Sequence, residues 1–250
     1  MVFTDTHWRG LAGRGYTVVR GAIDDAILRA AQEAGRHLNA LHPEGWERSK
    51  NELWREVRYC RDPAFMTLVA RVLDPLALEL LDSAPPRDFV QFSSTLPGFA
   101  TKGGVGRNFH VDGGKDQAID VFNVLFGVAL TRVASDTVGG FHVLPGSHDA
   151  FAEEFRRQPH ETATHYGDVK MAYQKTALAN DKLVVPRLEP GDIVVCHSLL
   201  AHGTSANASD VRRDMIFQRR AAAPFWDPAT KADARLAFMR DPWLYFTRRP

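Results

Sequence analysis

Residues 119–130 of the chain read Ile-Asp-Val-Phe-Asn-Val-Leu-Phe-Gly-Val-Ala-Leu, a long apolar run. Its β-branched residues and the enclosed Gly127 favour a buried strand over a helix. Asn123 is the lone polar residue in the interior of this run, and buried polar groups usually have hydrogen-bond partners. The run therefore predicts a buried strand, and the rest of the fold can be placed around it.

Segments on both sides of this strand have the composition of shorter strands that end at Pro and Gly turns. They are residues 15–20, 88–96, 139–144, 193–197 and 213–219. We therefore expect a mainly β fold, a double-stranded β-helix of the jelly-roll, cupin-like type that is backed by N-terminal helices. A chain of 250 residues suits one such domain over residues 1–250.

Helical patterns occur mainly before the longest strand. One helix opens at Asp24 directly after the strand at 15–20, and residues 63–82 predict two short helices interrupted near Asp74-Pro75. Residues 149–186 are charged and weakly patterned, which suits an insertion across the mouth of a site. The aromatic clusters of residues 221–250 are expected to cover the core.

Composition argues against several classes of partner. Lys plus Arg is 31 and Asp plus Glu is 30, so no global field attracts nucleic acid or an anionic membrane. The two cysteines, Cys60 and Cys196, form no CxxC pair, which argues against a disulfide framework and a thiolate zinc site. Without a signal sequence or a long apolar segment, the chain is expected to be soluble and cytoplasmic, and its oligomeric state stays open.

Two distant motifs point to a metal site. In Phe109-His110-Val111-Asp112-Gly113-Gly114, the histidine and the aspartate share one face, because strand side chains alternate with a period of two. His202, in Leu199-Leu200-Ala201-His202-Gly203-Thr204, can complete a facial triad that leaves three cis positions open on an octahedral metal. We predict His110, Asp112 and His202 as the metal ligands and catalytic centre, an arrangement typical of non-haem Fe(II) oxygenases.

An arginine follows the distal histidine, as a cosubstrate with a carboxylate would require. Arg213 stays charged and presents a planar fork that can clamp a carboxylate through two hydrogen bonds. Two alternatives stay open. His197 is a second choice of third ligand, although it lacks the following Gly-Thr pair of His202, and a slip of one residue would turn Arg212 inward instead of Arg213.

These motifs together resemble the phytanoyl-CoA dioxygenase family of Fe(II)/2-oxoglutarate-dependent oxygenases. The resemblance covers most of the chain, since Gly15-Tyr16-Thr17-Val18-Val19-Arg20-Gly21, Leu144-Pro145-Gly146-Ser147-His148 and the Asp-Pro-Trp near the end also match. It implies Fe(II), with 2-oxoglutarate and O₂ as cosubstrates and with release of succinate and CO₂.

The resemblance also implies roles for individual residues. Arg213 would pair with the C5 carboxylate of 2-oxoglutarate with help from the Thr204 hydroxyl, and Gln91 would lie near the cosubstrate or substrate. We assign Asn123 to the same cofactor-binding group. Because Asp112 stands where halogenating relatives have a small residue, hydroxylation is favoured, with desaturation or ring formation as further outcomes.

The substrate is predicted only as a small organic molecule, such as a secondary metabolite or an amino-acid derivative. We assign Arg107, His148 and Arg219 to substrate binding; basic residues at the predicted mouth suggest an anionic group, although a solvated charged rim explains them too. His142 and His148 are expected to line the pocket or its rim. Two rival functions stay open: a cupin-like metal-dependent hydrolase and a non-catalytic jelly-roll binding protein.

Overall fold

A computed structural model describes residues 3–41, 46–48, 53–100, 109–112, 121–157 and 183–250 of the chain. Its strands are β1 (Tyr16–Val19), β2 (Trp46–Arg48), β3 (Trp54–Cys60), β4 (Val90–Thr95), β5 (Val124–Ala129), β6 (Phe141–Val143), β7 (Ile193–His197), β8 (His202–Thr204) and β9 (Arg213–Arg220). Its α-helices are α1 (Asp5–Arg14), α2 (Asp25–Leu41), α3 (Pro63–Leu68), α4 (Asp74–Leu80), α5 (Ser147–Arg157) and α6 (Lys231–Arg240).

The strands form two antiparallel sheets. The larger sheet has the order β1-β7-β5-β9-β4-β3-β2, with the predicted buried strand β5 between β7 and β9. The smaller sheet pairs β6 with β8, and isolated bridges extend it through His110 on one side and Val184 on the other. The predicted jelly roll backed by helices is therefore confirmed.

Alternation along the central strands creates two cores. On β9, Met215 and Phe217 face the space between the two sheets, whereas Ile216 faces the layer of helices α2 to α4. The first core carries the site, because the smaller sheet closes over it. The aromatic residues of the tail cover both cores, with Phe225 on the first and Trp243 on the second, as the sequence predicts.

The N-terminal region differs from the sequence prediction. Helix α1 precedes β1, whereas the prediction began the domain with the strand at 15–20. The Thr4 side chain caps the first turn of α1 by accepting a hydrogen bond from the His7 main-chain N–H. Gly15 ends the helix at φ 78°, a left-handed conformation that glycine adopts without a steric penalty.

The helical segment before β4 is interrupted earlier than predicted. A π-helical turn, Val69–Leu73, joins α3 to α4, so the irregularity precedes Asp74-Pro75. Pro75 lies in the first turn of α4, where its missing N–H is tolerated. The β2–β3 hairpin was not predicted at all, and β3 supplies one wall of the site described below.

Among the described residues, every helix is too short or too polar to cross a membrane. The thiols of Cys60 and Cys196 are both buried and free. Burial raises the pKa of Cys196, as expected for a small apolar residue within β7. That residues 1–250 form a single domain stays a prediction.

Candidate metal centre

The structure brings the three predicted ligands together. One ligand atom from each of His110, Asp112 and His202 lies within 4.8 Å of the others. His110 Nε2 is 3.2 Å from Asp112 Oδ1, and His202 Nε2 is 3.5 Å from Asp112 Oδ2. Two imidazole nitrogens and a carboxylate converging in this way match the donor set of a 2-His-1-carboxylate metal site.

The main chain holds the two histidines side by side. His110 and His202 exchange both backbone hydrogen bonds, each with an N–O distance of 2.9 Å, in an antiparallel bridge at the edge of the smaller sheet. Their ring centroids are 4.6 Å apart. The separation of these residues in the sequence is therefore closed by backbone pairing, and the side chains meet as a consequence.

Hydrogen bonding orients the His202 ring for coordination. Its Nδ1 lies 2.9 Å from the carbonyl oxygen of Leu200, so Nδ1 carries the proton as donor and the Nε2 lone pair faces Asp112. Burial lowers the pKa of His202 and outweighs the opposing effect of Asp112, which keeps the ring neutral. A neutral imidazole with a free nitrogen is the form that binds metal.

Asp112 is held as an anion by its neighbours. Burial acts to raise its pKa, but Arg219 and then the two histidines outweigh this effect, so the pKa lies well below its usual value. Arg219 approaches Asp112 Oδ2 with Nε at 2.7 Å and Nη2 at 2.6 Å. The third nitrogen of the guanidinium, Nη1, donates to Gln91 Oε1 at 2.7 Å.

Arg213, the predicted carboxylate clamp, is a buried side chain of β9. The side chain is 1% exposed, with Nε donating to the carbonyl oxygen of Gly139 and Nη1 to that of Ser93 at 3.4 Å. Its Nη2 is buried without a hydrogen-bond partner among the described residues. A buried guanidinium nitrogen in that state is costly, and an incoming carboxylate would satisfy it.

Alternation along β9 puts Arg213, rather than Arg212, on the face that carries Phe217 and Arg219, although Arg213 does not itself line the cavity described below. Arg213 pairs with Thr95 across the β4–β9 ladder, and Arg212 points the other way, with Nε 2.9 and 3.0 Å from the carboxylate oxygens of Asp214. His197, the alternative third ligand, is also remote. Its Nδ1 accepts from the Leu199 main-chain N–H and its ring stacks on Phe246.

A cavity of about 170 Å³ opens beside the triad. The predicted residues Gln91, Thr204 and Arg219 line it. Sequence reasoning missed the other wall residues. Alternation along β4 and β9 could have indicated two of them, Ser93 next to Gln91 and Phe217 next to Arg219 on the same strand faces. Those other residues are Trp54, Glu56, Arg58, Ser93, Leu125, Phe141, Gly203 and Phe217.

Two predicted binding residues lie elsewhere, which corrects their assignment. Asn123 is fully buried just before β5, where its Oδ1 accepts from the Ala222 main-chain N–H, and it does not line the cavity. His148 packs beneath α1 with Nε2 2.9 Å from the carbonyl oxygen of Ala12. His142 is buried next to the Phe109 ring, and Arg107 lies outside the described residues.

Solved structures with this architecture show the same fold. The carbocyclase SnoK from nogalamycin biosynthesis, described as non-heme and alpha ketoglutarate dependent, is 18% identical, with a TM-score of 0.65 over 88% of this chain and 84% of its own. EctD from S. alaskensis is 19% identical, with a TM-score of 0.58 over 88% and 77%. HygX from Streptomyces hygroscopicus, solved with nickel and 2-oxoglutarate, is 15% identical, with a TM-score of 0.58 over 89% and 88%.

No curated protein matches the chain. The family model described as phytanoyl-CoA dioxygenase does match, over residues 12–215. This span includes helix α1 in part, the whole of the larger sheet as far as Met215, the three candidate metal ligands and Arg213. The chain therefore belongs to the phytanoyl-CoA dioxygenase family of Fe(II)/2-oxoglutarate-dependent oxygenases.

Proposed function

We propose that the protein is an Fe(II)- and 2-oxoglutarate-dependent dioxygenase that hydroxylates a small organic molecule. The observation that carries this proposal is the pairing of the His110, Asp112 and His202 triad with the buried, incompletely satisfied guanidinium of Arg213. A metal hydrolase would need the triad alone and would leave that guanidinium without a role. Membership of the family supports the same reaction class.

The triad fits Fe(II) by the chemistry of its donors, two imidazole nitrogens and one carboxylate. When bound there, Fe(II) with 2-oxoglutarate supplies O₂-dependent oxidation of a C–H bond, with succinate and CO₂ as coproducts. His110 and His202 would hold the metal through Nε2, and Asp112 through its carboxylate. Arg219 would keep that carboxylate ionised and oriented through its two contacts with Oδ2.

Arg213 and the cavity wall would position the cosubstrate. The unpartnered Nη2 of Arg213 would offer a charge-assisted hydrogen bond to the distal carboxylate, and Thr204, which lines the cavity, carries the hydroxyl predicted to assist it. Apolar wall residues, Leu125, Phe141 and Phe217, would exclude water from the same space. The HygX structure with nickel and 2-oxoglutarate supports a cosubstrate of this kind.

Hydroxylation is proposed over the other outcomes of this chemistry. Because Asp112 would supply the third protein ligand of the metal, that position would be closed to a halide ion. The structures similar to this one include a carbocyclase and an epimerase, so ring formation and epimerisation are the outcomes that hydroxylation has to be distinguished from.

The proposal is tested by anaerobic titration of the metal-free protein with Fe(II) and then 2-oxoglutarate. We expect a metal-to-ligand charge-transfer band that needs both additions, and succinate formation once air is admitted. His110→Ala and Asp112→Ala should each abolish the band while the fold is retained. A folded wild-type protein without the band would contradict the proposal and favour a hydrolase or a binding protein.

A further inference from the structure

A crevice adjoins the metal cavity and has its own charge character. The two spaces share Arg58, Gln91, Phe217 and Arg219, and the crevice continues to Tyr59, Arg87 and Phe89. Its volume of about 20 Å³ is far smaller than the 170 Å³ of the metal cavity. It is therefore suited to the polar end of a molecule whose body lies in the larger cavity.

Arg87 is the cation of this crevice that lacks a carboxylate partner among the described residues. Arg58 Nε is 3.0 Å from Glu56 Oε1, and Arg219 Nη2 is 2.6 Å from Asp112 Oδ2. Asp88, the neighbour of Arg87 in sequence, is turned to Arg61 at 3.0 Å. No described residue forms a hydrogen bond or an ion pair with Arg87, so its positive charge is not neutralised within the described part of the chain.

Aromatic rings fix the position of the Arg87 side chain. Its guanidinium carbon lies 3.7 Å from the centroid of the Trp226 ring and 5.1 Å from that of Phe89. A guanidinium stacked in this way is held in place, and its in-plane N–H groups stay available to a ligand. Burial, with Arg220 and Arg219 nearby, lowers the pKa of Arg87 to about 10, so a bound anion would relieve an unfavourable environment.

The surface around Arg87 has two further marks of a binding site. Tyr59 and Trp226 are 39% and 41% exposed, and both are among the few large hydrophobic side chains left exposed in the described residues. Tyr59 is also the non-glycine residue with positive φ in the described part of the chain, at 57°, within the irregular β3–β4 pairing between Val57 and Cys60. Strained backbone of this kind concentrates at functional sites.

We propose that Arg87 binds an oxyanion group of the substrate, a carboxylate, phosphate or sulfate, in the crevice that opens from the metal cavity. This inference rests on the proposed function, since it concerns the substrate of the same site. Trp226 and Phe89 hold the guanidinium, and the Tyr59 ring, which also lines the crevice, packs edge-on against that of Phe89 at 5.0 Å. The substrate class is therefore an anionic small molecule, oriented with its anion away from the metal.

The first test uses ligand-observed NMR titration of the metal-free protein with benzoate, phenyl phosphate and the neutral isostere benzamide. We expect the wild type to bind at least one anion more tightly than benzamide, and Arg87→Gln to weaken that anion about tenfold with little effect on benzamide. Comparison of benzoate with phenyl phosphate identifies the preferred oxyanion. Equal binding of anions and benzamide by the wild type, or no anion binding at millimolar concentration, would overturn the proposal.

Arg61→Gln is the matched control, because Arg61 also lies over the Phe89 ring, at 5.9 Å, but is paired with Asp88. Arg61→Gln should bind the anion as tightly as the wild type does. If Arg61→Gln and Arg87→Gln lost the same affinity, the effect would be one of general surface charge, and the proposal would be contradicted. Arg87→Lys, which keeps the charge, should lose less affinity than Arg87→Gln. Unchanged thermal unfolding shows that each variant is folded.

A second test asks whether the anion site adjoins the metal. With Mn(II) added, the protons of the bound anion should relax faster in the wild type than in His110→Ala, which lacks a metal ligand. Mn(II) binding itself is measured separately by electron paramagnetic resonance, so failure of the metal site is distinguished from failure of the anion site. Anion binding at Arg87 with Mn(II) bound but without enhanced relaxation would overturn its assignment to the substrate.

Discussion

Arg219 contacts a single oxygen of Asp112 with two of its nitrogens, Nε at 2.7 Å and Nη2 at 2.6 Å from Oδ2. The other carboxylate oxygen, Oδ1, faces His110 Nε2 at 3.2 Å. The guanidinium therefore holds Oδ2, while Oδ1 faces His110 and Oδ2 also lies 3.5 Å from His202 Nε2. Residues behind a metal ligand commonly tune both its orientation and its affinity for the metal.

Replacement of Arg219 by Gln should weaken metal binding. Loss of the two contacts frees the Asp112 carboxylate to rotate. Mutation of a residue that hydrogen-bonds to a metal ligand typically lowers metal affinity by roughly 10–100-fold. Isothermal titration calorimetry with Mn(II) measures the effect. Arg132→Gln, which removes an exposed pair with Glu189, is the control, and tighter or unchanged Mn(II) binding by Arg219→Gln would refute this role.

Replacement of Arg213 by Gln should weaken 2-oxoglutarate binding by roughly 30-fold or more, since loss of one partner of a buried charge pair costs about 2–5 kcal/mol. Metal affinity should stay close to that of the wild type. Titration of 2-oxoglutarate into the Fe(II) protein under argon provides the measurement. Arg212→Gln is the matched control because Arg212 faces Asp214, and an exchange of the two results would show that the strand register is wrong.

Gly139→Ala should destabilise the protein far more than Gly146→Ala. Both glycines have positive φ, 69° and 82°, so each alanine costs about 1–2 kcal/mol in backbone strain. Only at Gly139 would the added Cβ collide, at 2.0 Å from Thr95 Oγ1, and overpacking adds about 1–3 kcal/mol. Urea unfolding measures the difference, and equal losses would contradict the collision.

The Gly139→Ala substitution should also weaken the binding of 2-oxoglutarate. The carbonyl oxygen of Gly139 accepts from Arg213 Nε, so a displaced loop moves the guanidinium as well. We expect a raised dissociation constant for 2-oxoglutarate in folded Gly139→Ala and an unchanged one in Gly146→Ala. A normal constant in both variants would show that the Gly139 carbonyl does not position Arg213.

His197 should make stability fall as the pH decreases below neutrality. Burial, with His148 nearby, lowers its pKa from 6.5 to about 3, so the folded protein keeps the ring neutral while the unfolded chain takes up a proton near pH 6.5. The contribution of His197 to the free energy of unfolding is therefore complete above pH 6.5. It decreases as the pH falls towards 3, by up to about 1.4 kcal/mol per pH unit.

His197→Phe tests this dependence because phenylalanine keeps the stacking on Phe246 and cannot take up a proton. The free energy of unfolding of the variant should decrease less steeply between pH 7 and pH 5. His37→Gln, a change at an exposed position of α2, should keep the wild-type slope. An unaltered slope in His197→Phe would show that His197 is not the group responsible.

The candidate ligands were predictable from short motifs and their order along the chain. A period of two puts His110 and Asp112 on one face, His202 followed by Arg213 completes the pattern, and the family resemblance implies the same residues. The contact of Arg219 with Asp112 was not predictable, since it joins residues 107 positions apart that lie on β9 and on the segment that follows His110. Such a contact is set by long-range packing.

The misplaced residues have physical explanations as well. His148 was expected at the pocket because it follows the turn at Pro145-Gly146, but helix α1, which the sequence analysis did not predict, covers it through the Ala12 carbonyl. Asn123 has the polarity of a binding residue, yet its amide oxygen serves the Ala222 main-chain N–H. The Asn123 side chain therefore satisfies a buried main-chain N–H instead of contacting a ligand.

The reciprocal backbone bridge between His110 and His202 has a thermodynamic consequence for metal exchange. Since folding has already joined the two segments, ion capture need not pay the entropy of bringing remote ligands together. Chelation should accordingly empty the centre without melting the sheet around it. The far-ultraviolet circular dichroism of stripped and reloaded samples would then superimpose, in contrast to zinc fingers, which lose their structure with their ion.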